Sequence, residues 1–112
     1  MLITVIINTT LTKTTVENVP YTLGMNAQKA LQAAYNTVKC PPAVPLFTYT
    51  MGYTGSQTGY VVEIIIGLSP FSNKCWMPYI GGTVQSRYID NITINDSDIL
   101  EFKYEANPNE DN

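Results

Sequence analysis

The chain has 112 residues, 45% apolar and 13% charged, with a formal net charge of −3 and a pI near 4.6. That composition makes one globular domain with its own core, and it argues against a disordered chain. Basic residues are spread singly, so no stripe can neutralise a row of phosphates, and no apolar run approaches the roughly 20 residues of a bilayer span. Nucleic acid is therefore not expected as a partner, nor is a membrane span, and no basic-then-apolar leader is visible at the N-terminus.

Leu2 to Asn8 is dense in β-branched residues with apolar side chains on both faces, the pattern of a central strand. Thr9-Thr10 reads as a turn, and Leu11 to Val19 returns as the second strand of a hairpin that Pro20 ends. Asn26 is placed to cap a helix. Ala27, Ala30, Leu31, Ala34, Tyr35 and Val38 recur at three- and four-residue steps behind it, and Cys40-Pro41-Pro42 stops the run. The small alanines allow this helix to lie close on a sheet.

Leu46 to Tyr53 alternates as a half-exposed strand, and 54–59 is a loop by composition. Tyr60 to Ile66 and Trp76 to Ile80 read as neighbouring strands joined by a connection that carries Pro70, Ser72 and Asn73. Gly81-Gly82 has the chemistry of a two-residue hairpin turn, after which Thr83 to Arg87 pairs back. Asn95 to Asp98 is a polar turn, Ile99 to Tyr104 is the last strand, and 105–112 is an acidic tail with little to anchor it. Hairpin, helix and further strands predict a single α+β domain over 1–104, a mixed sheet with one packed helix in the order of the β-grasp, ubiquitin-like architecture.

The stretch from Gly59 to Gly82 holds the single Trp and an aromatic cluster of Tyr60, Phe71, Trp76 and Tyr79. It is the first place to look for binding. Strand alternation limits this: Trp76 and Pro78 share one face, Met77 and Tyr79 the other, so Trp76 and Tyr79 cannot line one flat site without a bulge. Trp76 is then read first as core. Catalysis is not expected. The chain has no His for a relay or an imidazole metal site, no Gly-rich phosphate loop opens a helix, and Asp90, Asp96 and Asp98 lack calcium-loop register.

Cys40 and Cys75 are either two buried thiols or one disulfide; their loop-flanked positions favour the bridge, which would stabilise by about 3–4 kcal/mol on the chain-entropy model. Sequons begin at Asn8, Asn91 and Asn95. Together these features point to a secreted or cell-surface protein.

The ordered set of pieces resembles a known family. The helix Asn26–Val38, the strand around Phe47–Tyr49, Gly59-Tyr60-Val61-Val62-Glu63-Ile64, Trp76-Met77-Pro78-Tyr79-Ile80-Gly81 and the closing Ile94 to Tyr104 are similar to the β-grasp domain at the C-terminus of transcobalamin and intrinsic factor proteins, also found as a module in bacterial surface proteins. Ser97 stands where that family often has Gly, at a turn position that needs positive φ. The resemblance implies a β-grasp fold and binding of cobalamin or a related corrinoid. Its contacts would fall on Gly59, Tyr60, Val61, Phe71, Trp76 and Tyr79, opposite an α-helical partner domain. A broad, planar, amide-rimmed ligand suits aromatic surface and backbone polar groups. The other class of function in view is a structural or adhesive extracellular module that engages a cell-surface partner through a sheet edge or a tyrosine face.

Overall fold

The computed structural model describes residues 1–9, 11, 13–38, 49–53, 60–65, 74–85 and 87–106. Its elements are β1 (Leu2–Asn8), β2 (Lys13–Pro20), α1 (Ala27–Val38), β3 (Tyr49–Tyr53), β4 (Tyr60–Ile65), β5 (Lys74–Ile80), β6 (Thr83–Val84), a 3-10 turn (Ile89–Asn91) and β7 (Ile99–Ala106). Five strands form one mixed sheet in the order β2-β1-β7-β5-β6, and β3 pairs with β4 in a separate ribbon. With α1 packed on one face, this is the α+β, β-grasp arrangement. Its central pair, β1 and β7, runs parallel; every other ladder is antiparallel.

Register divides each strand into two faces. Val5 pairs with Leu100 and Ile7 with Phe102, and all four are fully buried toward α1. On the next strand Trp76, Pro78 and Ile80 sit opposite Tyr104, Phe102 and Leu100 and point the same way. From the helix side, Ala27, Ala30, Leu31 and Ala34 close the core with no exposure. Three alanines on that face let the helix backbone approach the sheet, and Leu31 supplies the bulk. Burial of each large side chain in this layer contributes roughly 1.5–3 kcal/mol.

Local chemistry sets the connections. Asn26 caps α1: its Oδ1 accepts from the Lys29 amide at 2.8 Å, while its Nδ2 donates to the Asp90 carbonyl at 3.2 Å. The amide of Ala27 donates to the Ile92 carbonyl at 2.9 Å, and that of Ile94 to the Met25 carbonyl at 2.9 Å. A short antiparallel bridge therefore fastens the start of the helix to the segment that leads into β7. Gly81 and Gly82 take φ of +58° and +85°, the primed turn their sequence predicts. Ser97 does take the left-handed conformation, with φ +70°, in a turn closed by Asp98 N–H to the Asn95 carbonyl and by Asn95 N–H to Asp98 Oδ2 at 2.7 Å.

β2 carries a bulge. Its partners shift between Ile3↔Val19 and Val5↔Val16, and Asn18 takes φ +59°. The extra residue lets Val16 and Val19, three apart, both face the core.

Three sequence expectations shift, and the segment after Tyr88 takes a form of its own. Tyr60–Ile65 and Lys74–Ile80 lie near each other but share no ladder among the described residues: β4 pairs with β3, and β5 with β7 and β6. Only Thr83 and Val84 pair back after the turn; Gln85 gives one amide to the Pro78 carbonyl at 2.8 Å and the chain departs. The segment after Tyr88 opens with a 3-10 turn at Ile89–Asn91. Finally, β7 continues through Glu105 and Ala106, which pair with Cys75 and Lys74, so the domain extends two residues past Tyr104 into the stretch read as tail.

Two stability changes follow. Asn26→Ala removes the cap and the bond to Asp90, and should lower unfolding free energy by about 1–2 kcal/mol in urea titration. Ser97→Gly relieves a left-handed serine and should raise it by about 0.4–1 kcal/mol in the same measurement.

Candidate functional site

The sheet face opposite α1 gathers side chains from three strands. On β7 the outward residues are Ile99, Glu101, Lys103 and Glu105; on β5 they are Cys75, Met77 and Tyr79; on β1 they are Thr4, Ile6 and Asn8. The cross-strand pairs Tyr79↔Glu101, Met77↔Lys103 and Cys75↔Glu105 set these groups side by side.

Their polar atoms are joined. Asn8 Nδ2 donates to Glu101 Oε2 at 2.8 Å. The Tyr79 hydroxyl donates to Glu105 Oε1. Lys103 Nζ lies over the Tyr79 ring, 4.3 Å from its centroid, and Glu101 and Glu105 flank Lys103 on the same face of β7. Beside this array Cys75 Sγ donates to Met77 Sδ at 3.5 Å, with Met77 buried and Cys75 half-buried. The result is a flat comb of donors (Lys103, the Asn8 amide) and acceptors (Glu101, Glu105) around one aromatic ring.

The hydrogen bond to Glu105 is the main cause that pushes the Tyr79 hydroxyl up to about 12; partial desolvation and the charges of Glu105 and Glu101 act in the same direction. Tyr79 is therefore a fixed donor near neutral pH and a poor proton acceptor.

Trp76 lies elsewhere. It is 5% exposed in the core, with its ring 5.2 Å from that of Tyr104 and inclined at 46°. The site assignment for Trp76 is thus corrected in favour of the core reading: alternation along β5 sends it under the sheet and Tyr79 over it. Of the expected contacts, Gly59 and Phe71 lie outside the described residues. Tyr60 and Val61 are in β4, their side chains outside the described set. Cys40 also lies outside it, and with it the expected bridge to Cys75. Of the sequon asparagines, Asn91 and Asn95 are exposed, whereas Asn8 is half-buried with its amide bonded to Glu101.

Glu101, Lys103 and Glu105 stand in this candidate array and were not among the residues expected from the sequence. Their signal was present in the polar half of the alternation Glu-Phe-Lys-Tyr-Glu. What was hidden was the strand against which that half would stand. Among the described residues, no three His, Cys, Asp or Glu side chains come together as a metal site, and no helix is long and apolar enough to cross a membrane.

No family model and no curated protein matches this chain. Among solved structures it is similar to the crystal structure of a "putative metal binding protein" from Ruminococcus gnavus ATCC 29149, with a TM-score of 0.69. The match covers 95% of this chain and 97% of that one at 14% sequence identity. At that identity the likeness shows the fold, and the fold alone.

Tyrosine titration tests the network. The phenolate absorbance of one tyrosine should emerge near pH 12, and Glu105→Gln should bring it down toward the ordinary range. Because the folded value lies above the unfolded value of 10.0, the stabilisation from this group is fully present below pH 10 and is lost as pH rises toward 12. Glu105→Gln should flatten that part of the stability profile.

Proposed function

We propose that the domain is a non-catalytic, extracellular binding module that takes a broad, flat, amide-bearing ligand of the corrinoid class on the helix-free sheet face. The observation that carries this reading is the comb on that face, with Tyr79 held as a donor by Glu105 and Lys103 seated on its ring. A planar macrocycle with a rim of amides finds aromatic surface at Tyr79, acceptors at Glu101 and Glu105, and a donor at Lys103. Displacement of Lys103 from the ring would open the flat contact and release its ammonium for a ligand carbonyl.

One sheet covers one side of such a ligand. Affinity of the domain alone is then modest, and a second partner, such as an α-helical domain, would close the other side. The exposed sequons at Asn91 and Asn95 support placement outside the cell. A metal reading, suggested by the name of the Ruminococcus neighbour, finds no three-donor group among the described residues to carry it.

Titration of cobinamide or cobalamin into the protein should shift the visible bands of the ligand. Tyr79→Ala should weaken binding by about tenfold, the loss expected for one well-placed aromatic contact. Absence of a spectral change up to ligand concentrations of about 1 mM would remove the corrinoid reading.

A further inference from the structure

The β1–β2 hairpin carries an apolar knob at one end and a socket at the other. At the tip, Leu11 is 93% exposed, with its amide donating to Thr9 Oγ1 at 3.3 Å, and the exposed Lys13 follows two residues later. A leucine so nearly free of protein contact contributes nothing to this domain's own core.

At the other end, where β1 begins and β2 ends, a groove of about 400 Å³ opens. Leu2 and Ile99 give it an apolar side, Ile3 lies buried beneath, and Thr4, Glu17, Asn18 and Ser97 make up its larger polar part. Leu2 and Ile99 remain 46% and 48% exposed. Asn18 and Ser97, the two non-glycine residues with positive φ among the described residues, shape its walls: one makes the bulge that bends β2, the other the turn before β7. Among the described residues, no Lys or Arg lines the groove. Glu17 is exposed at its rim, and Asp96 and Asp98 lie in the adjoining turn.

Knob and socket are complementary in both respects. One offers a leucine followed by a cation; the other offers leucine and isoleucine beside a carboxylate. Seven residues of β1 separate them by about 20 Å, so one copy cannot satisfy both within itself. We infer that the groove receives the hairpin tip of a second copy of this chain, with Leu11 against the exposed Leu2 and Ile99 and Lys13 facing Glu17. Such a contact is heterologous and leaves a knob and a socket open at the two ends, so it repeats head to tail instead of closing as a dimer. The patch is small, and the association is correspondingly weak. This inference is independent of which ligand the sheet face takes.

Analytical ultracentrifugation of the full chain, at concentrations up to on the order of 1 mM, tests it. The weight-average mass should rise with concentration and pass the dimer without a plateau. Leu11→Ser should stay monomeric throughout, with an unchanged far-UV circular dichroism spectrum because the side chain is almost wholly exposed. Lys13→Glu and Glu17→Lys should each weaken association by about tenfold, and the double variant should restore it. A wild-type chain that stays monomeric overturns the inference, as does association that survives Leu11→Ser, stops at a dimer, or is not restored by the charge swap. Any of the last three would assign the surface to another occupant.

Discussion

The parallel pairing of β1 with β7 is the contact on which the rest of the molecule depends. It joins residues more than ninety positions apart, Thr4 to Ile99 through Asn8 to Lys103. Its inner pairs, Val5 with Leu100 and Ile7 with Phe102, are the seam on which α1 rests. Closing so long a loop costs entropy that only the completed core offsets. The ladder is led in by three bonds: Leu2 N–H to Asp96 Oδ1, Ser97 N–H to the Leu2 carbonyl, and Thr4 N–H to the Asp98 carbonyl. These explain why the Asn95–Asp98 turn tolerates a left-handed serine. Its geometry is held from outside by the first strand.

A second constraint sits at Asn26. One side chain satisfies an orphan amide of the helix and reaches across to the Asp90 carbonyl. The bridge beside it aligns residues 25–27 with 92–94, so Ile92 and Ile94 enter the core beneath the first turn of α1. The helix is positioned by its cap as much as by its apolar stripe.

The proposed binding surface is the sheet face opposite α1. Alternation on β5 and β7 carries Trp76, Phe102 and Tyr104 down into the core and brings Tyr79, Glu101, Lys103 and Glu105 up. The same parity that fills the core makes a polar, hydrogen-bonded plane above it. A single hydroxyl with its acidity suppressed, a cation parked on its ring and two carboxylates form a surface suited to recognition. On the hairpin, the bulge at Asn18 places Val16 and Val19 in the core and also shapes the groove at the edge.

Much of this was legible in the residues. The β-branched run of β1, the alanine periodicity of α1 with Asn26 before it, the Gly81-Gly82 turn and the alternation of β7 each encode local geometry through sterics that act within a few residues. The segregation of Trp76 from Tyr79 also follows from period-two alternation, because that rule needs no knowledge of neighbours. Strand partnership is different. Tyr60–Ile65 and Lys74–Ile80 are adjacent in sequence and both apolar, yet β5 pairs with β7, and only the assembled sheet decides that. Glu101, Lys103 and Glu105 were visible as a polar half of a strand, but their meeting with Tyr79 and Asn8 required two ladders in register. The sequence by itself determined the elements, their caps and which side chains share a face. The tertiary structure decided which faces meet, because pairing is set by loop closure and burial summed over the whole chain.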